Sequence, residues 1–286
     1  MGAKTEKISL MMVIRILGWF VLIALFTVIS QVGGIVLLSC IPVFRLLRKQ
    51  FPQRRFPHLI NSGVFLGIYL AFSLLLLPPL AALFNRVPLP VMSNQQLKPL
   101  NYFTCFFNRH YVNPKLKKTL EEVAGQMNEK YPGSVVAYLD ANFPLFDKFP
   151  LIPHLSHDDG KKVDLAFFYQ SKKTGQPLNR KAPSFIGYGV FEDPLPGESD
   201  YPAQCADKGY WQYSFMERII PQGGKKKIQL DHSKTAALIK SLASHAAVGK
   251  IFLEPHLKER LNLTSGKVRY HGCHAVRHDD HIHIQL

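Results

Sequence analysis

Charge is missing from two long stretches of this 286-residue chain: none falls between Ile16 and Phe44, and none between Leu59 and Phe84. Each stretch exceeds the roughly 20 apolar residues needed to cross the hydrocarbon core of a bilayer. A soluble core helix of that length would keep a polar face, so the pattern predicts two membrane spans. Neither span carries an ionisable residue, which argues against a transporter or channel. A cleaved signal peptide is also a poor fit, because the first stretch is too long and no small-residue cleavage site follows it. Other absences narrow the chemistry. Neither Gly-x-Ser-x-Gly nor Ser-x-x-Lys occurs, so a serine acyl-enzyme is not expected and penicillin-type acylation should not inhibit the protein. No basic–aromatic repeat is present, which excludes the usual nucleic-acid modules.

Acidic residues are few, 20 against 35 Lys and Arg, for a formal net charge of +15. Five cations and no anion fall within Arg45–Arg55, between the two apolar stretches. A short basic loop of this kind stays on the cytoplasmic side. The N-terminus, with Lys4, Lys7 and Arg15 against Glu6, has a weaker bias. The expected arrangement is a two-helix transmembrane hairpin in residues 1–90, its loop 45–55 inside and both ends outside. An extracytoplasmic domain over 91–286 follows, placed at a bacterial inner membrane. That domain is itself basic, which suits anionic wall polymers or lipid head groups, or only surface solubility. Of the four cysteines, Cys40 lies in the first span, while Cys105, Cys205 and Cys273 lie outside, where disulfides persist. Three cannot all pair, so Cys273 stays open as a disulfide partner, a free thiol or a metal ligand.

In the outer part, Pro78-Pro79 and Asn85–Pro90 read as the exit from the bilayer and a stiff linker. Helical spacing covers Lys115–Lys130 and Ser233–Ala246, and His256–Leu261 reads as a short helix. Strands are expected at Ser134–Asp140, Val163–Tyr169, Ser184–Phe191, Lys250–Glu254, Lys267–His271 and His281–Leu286. Short strands mixed with a few helices predict an α+β domain with a mostly antiparallel sheet.

Five of the twelve histidines fall in the last sixteen residues, and His154 and His157 precede a loop that leads to Asp164. Side chains alternate along a strand, so His281 and His283 share a face while Ile282 and Ile284 point the other way. Two histidines and an aspartate from three elements can hold a catalytic zinc with one position left for water. The metal-ligating set is His157, Asp164 and His283. His281 is the catalytic neighbour, placed to move a proton or stabilise an oxyanion. His154, His278 and Asp280 are candidate pocket or supporting residues, and Asp279 reads as a turn residue.

Ser-His-x-x-Gly-x-x-x-Asp (156–164), followed far downstream by His-x-His (281–283), resembles the zinc peptidases related to lysostaphin, D-alanyl-D-alanine metallopeptidases and hedgehog. Within these, His154-Leu155-Ser156-His157 and Arg277–His283 are most similar to the penicillin-insensitive murein endopeptidases. The resemblance covers roughly residues 130–286, and residues 170–230 show no clear match. It implies zinc on His157, Asp164 and His283, with His281 acting beside the metal. It also implies hydrolysis of peptidoglycan crosslinks between D-alanine and a diamino acid. The alternatives are a D,D-carboxypeptidase on the same centre and a catalytically silent zinc-containing wall-binding module. A two-span anchor departs from that family, whose endopeptidase is soluble.

Overall fold

The computed structural model describes residues 10–92 and 96–286. The helix Leu10–Ser30 ends at Gln31, whose backbone is left-handed (φ 63°), and Gly33–Gln50 runs back beside it. Trp19 and Phe44 lie with ring centroids 6.4 Å apart, so these two legs are antiparallel. The close approach depends on Gly34, where a Cβ would meet Thr27 Oγ1 at 1.9 Å and Ile23 O at 2.5 Å. The single span expected over Ile16–Phe44 is thus two helices. Missing charge reports that a segment is apolar, not that it is one helix, and the marks of the break are Ser30-Gln31 and Gly33-Gly34.

A third helix starts at Pro57–Ala71, passes a π-helical turn at Phe72–Leu76 and finishes at Leu77–Ala82. Met11–Ser30 and Pro57–Ala82 are each long and apolar enough to cross a membrane. Arg15, Arg45, Arg48 and Arg54 line one cleft. At the other end, the Gln31 side chain accepts from Leu145 N at 2.8 Å and donates to Phe146 O at 3.4 Å. Residue 10 therefore shares an end with the basic loop, and the expected hairpin with both ends opposite that loop is corrected. Lys4, Glu6 and Lys7 lie outside the described residues.

The segment after the third helix is no free linker. Val87–Pro88 pairs antiparallel with Tyr111–Val112, and Leu89 is 1% exposed in the core of the globular domain. Arg86 is buried, pairs with Asp147 and lies against Gly160, which is held at φ +74°. A Cβ on Gly160 would come within 2.3 Å of the guanidinium carbon, so only glycine fits there.

The globular domain is α+β. Its main sheet has six strands in the order Val268–Arg269, Lys250–Phe252, His281–Gln285, Lys162–Ala166, Val136–Tyr138, Leu97–Pro99. The central pairings are antiparallel and the two outermost are parallel. Val163, Leu165, Ile282 and Ile284 point to one face. There they meet Leu116, Leu120 and Val123 of the helix Pro114–Lys130, and Leu238, Ile239 and Leu242 of His232–Ser244. Each such side chain, fully buried, contributes about 2 kcal/mol. Both helices start where the sequence offers a cap: Asn113 Oδ1 accepts from Leu116 N at 2.7 Å, and Asp231 Oδ1 from Lys234 N at 3.0 Å.

Two strand expectations change. Val163–Tyr169 divides, because Tyr169–Ser171 leaves the main sheet to pair with Pro177–Leu178 and Ile228–Leu230. Ser184–Phe191 is not a strand, since Gly187 (φ 87°) and Gly189 (φ 80°) bend it into a loop. That loop crosses the sheet face opposite the helices.

Candidate metal centre

The register of the two central strands builds the site. His283 stands directly opposite Asp164, and His281 opposite Ala166. The loop through Gly160 carries His157 back over Asp164. As a result His157 Nε2, Asp164 Oδ1 and His283 Nδ1 converge. The separations are 3.2 Å between His157 and Asp164, 3.1 Å between the two histidines and 2.8 Å between Asp164 and His283. Metal–ligand bonds of about 2.0–2.2 Å at tetrahedral angles place ligand atoms about 3.3 Å apart, so the three atoms fit one ion. The residues are 1%, 0% and 3% exposed, which leaves them no water to solvate them individually.

Neighbours fix the tautomers. His157 Nδ1 donates to Ala141 O at 2.7 Å, which orients the ring so that Nε2 is the nitrogen aimed inward. The Gln285 amide nitrogen lies 3.1 Å from His283 Nε2. Exchanging the amide's N and O by a 180° flip puts its oxygen there, so that Nε2 donates to it and Nδ1 is the ligand. Burial lowers His283 to about 4, so it is neutral at pH 7. Burial would raise Asp164, but the surrounding His157, His281 and His154 hold its carboxyl well below the ordinary value. Two imidazoles and a carboxylate form a donor set suited to a divalent ion.

His154 belongs to the same cluster: its ligand atom and those of His157 and Asp164 lie within 4.8 Å of one another, and the group could hold a metal ion. Its Nδ1 is 3.3 Å from Asp164 Oδ2 and 3.4 Å from Asp140 Oδ2, with no well-angled hydrogen bond to either. His281 stands 3.7 Å from Asp164 through Nε2, which has no hydrogen-bond partner, while Nδ1 bonds Asp280. Burial pulls its pKa down, yet Asp164 and Asp280 overcome this and raise it to about 9. Asp280 is anchored in turn by Gly189 N–H at 2.6 Å. His278 packs 5.1 Å from His281 and 5.6 Å from His283, ring centre to ring centre, and burial holds it neutral. Asp279 lies in the bend before the last strand, where it is fully buried and paired with Arg277.

Tyr188, Asp140 and Arg109 were not legible from the sequence. The Tyr188 hydroxyl donates to Asp164 Oδ2 at 2.8 Å and accepts from Asp140 N–H at 3.1 Å. Its ring packs edge-on against His154 and His281. Asp140 also pairs with Arg109 at 2.7 Å. The only local hint was an aromatic hydroxyl between two glycines. These groups form the floor of a cleft of ≈ 470 Å³, whose walls include Phe103, Phe107, Phe185, Ile186, Phe191 and Met216.

Cys273 is not a ligand. It is bonded to Cys205, which closes a loop of 68 residues beside the cleft, and Cys105 is free. Compared with known proteins, the chain matches no family model, and no curated protein matches it.

Proposed function

We propose that the protein is a membrane-anchored zinc peptidase that hydrolyses peptide crosslinks of peptidoglycan on the extracytoplasmic side. The observation that carries this reading is the convergence of three ligand atoms within about 3 Å of one another, beside the unpartnered Nε2 of His281. A zinc ion held by His157, Asp164 and His283 would supply a Lewis acid that acidifies water and polarises a carbonyl.

The chain's own groups supply the rest. Asp280 fixes the His281 ring, so Nε2 faces the reacting amide and its proton can pass to the departing amine. The balance is that of amide hydrolysis: water adds its oxygen to the carbonyl carbon, the C–N bond breaks, and carboxylate and amine leave. Tyr188 holds Asp164 in place, and His154 borders the same carboxylate where a carbonyl oxygen would lie. The apolar cleft walls exclude water from the amide, which strengthens these charge interactions.

Localisation has two independent supports. The cations Arg45, Arg48 and Arg54 sit at the end of the helices away from the domain, as expected for a cytoplasmic face. The Cys205–Cys273 disulfide suits an oxidising compartment.

The test uses the full-length protein in detergent. Metal analysis should find one zinc per chain, and a crosslinked muropeptide dimer should be cut to monomers. His283→Ala should lose both. Zinc without cleavage of the dimer, or of a monomeric pentapeptide, would sink the peptidase reading.

A further inference from the structure

The cleft has an unusual polarity for an enzyme whose substrate is a sugar–peptide polymer. Its floor is polar, with Arg109, Asp140, His154, Tyr188, Asp280 and His281, but its mouth is aromatic. Phe103 and Phe185 are 53% and 71% exposed there, and they pack edge-to-face at 5.8 Å. A mouth of this kind matches hydrocarbon rather than hydroxyl groups.

A chain of aromatic rings links the mouth to the membrane-length helix. Phe103 stacks on Phe107 (6.2 Å), Phe107 meets Phe106 (5.0 Å), and Phe106 meets Tyr69 (5.6 Å). Tyr69 lies inside the span Pro57–Ala82, not at its end. Its hydroxyl donates to Phe106 O at 2.7 Å, and Asn108 Nδ2 bonds both Tyr69 and Ser73. The globular domain is therefore fastened to the flank of this helix. On either side of Tyr69 the helix exposes leucines, Leu66 before it and Leu70, Leu74 and Leu75 after it. Surface of this kind on a spanning helix faces lipid, so the Tyr102–Phe107 turn sits against the outer leaflet.

The geometry points to a substrate that is itself held in the bilayer: a peptide joined to a lipid carrier, entering sideways along Phe106, Phe107 and Phe103. Its amide reaches the polar floor while its hydrocarbon stays against the aromatic mouth. This deepens the peptidase reading and rests on it. It assigns Phe103, Phe107 and Phe185 the task of seating the lipid-proximal part of the substrate.

The test places the zinc-loaded full-length protein in phosphatidylethanolamine–phosphatidylglycerol vesicles. Two versions of one crosslinked peptide are compared, with and without an attached long acyl chain. Wild type should cut the acylated peptide at least tenfold faster. Phe185→Ser should shrink that preference by about tenfold, the size of losing one buried phenyl contact. Equal rates on the two peptides, or a preference untouched in Phe103→Ser and Phe185→Ser alike, would overturn the inference and leave the peptidase intact. If neither peptide is cut, the peptidase reading has failed, and a second measurement still decides the placement. In a Trp19→Phe, Trp211→Phe background, the emission of Phe103→Trp should be quenched by brominated acyl chains. Unquenched emission would refute the position at the leaflet.

Discussion

Replacing Tyr188 by phenylalanine removes one oxygen atom and leaves the ring that packs on His154 and His281. Two groups lose their partner: Asp164 Oδ2, a buried carboxylate oxygen 2.8 Å away, and the Asp140 amide at 3.1 Å. A hydrogen bond to a charged group contributes about 1.5–3 kcal/mol, and an orphaned buried amide costs about 1–3 kcal/mol. The two share one hydroxyl and do not simply add, so the metal-free protein should lose about 3 kcal/mol. For metal binding, removing a group that holds a ligand typically weakens affinity about 10- to 100-fold. Zinc saturation should then restore less stability than in wild type, by about 1.4–2.7 kcal/mol. Zinc competition against a chromogenic chelator gives the affinity, and thermal unfolding with and without zinc gives the stability. A zinc affinity within about twofold of wild type would refute the assignment of Tyr188 as the group that positions Asp164, since losing such a group should weaken binding at least about 10-fold.

Other consequences follow from the same geometry. His281→Gln should keep one zinc per chain but lower muropeptide cleavage about 10²- to 10⁴-fold, as measured by product chromatography. The pKa of His281 is raised to about 9 in the folded, metal-free protein, above the ordinary histidine value of about 6.5. Its ion pairing is therefore a stabilising contribution fully present below about pH 6.5 and lost as pH rises through about 9. Urea midpoints of the metal-free protein at about pH 6 and about pH 10 should show this fall, and Asp280→Asn should flatten it. Reducing Cys205–Cys273 releases a loop of 68 residues, which should cost about 4 kcal/mol by loop entropy and lower the melting temperature. Gly160→Ala should destabilise the domain, because its Cβ would collide with the Arg86 guanidinium.

The parts of the site that the sequence revealed are those with a local rule behind them. The two-residue period of a strand placed His281 and His283 on one side, and Ile282 and Ile284 in the core. What was hidden depends on distant segments meeting. Nothing near Tyr188 says that its loop will cross Asp164, because that contact is fixed by the sheet register and by Gly187 and Gly189. The fate of Cys273 needed the position of Cys205. The turn at Gln31 was obscured because apolar residues on both sides look alike to any reading based on composition. Ser184–Phe191 was expected as a short strand, yet positive φ angles at its glycines prevent one.

Arg86 and Leu89 join the last helix to the globular domain more intimately than a tether would. The guanidinium props the bend at Gly160 between His157 and Asp164, and the leucine three residues further along the chain is sealed within the hydrophobic interior. Excising everything before residue 95 to obtain a water-soluble fragment would strip both supports and the short ribbon at Val87–Pro88. Such a truncated preparation would misreport the intact protein, so detergent-solubilised or bilayer-embedded material is the form in which its chemistry should be measured.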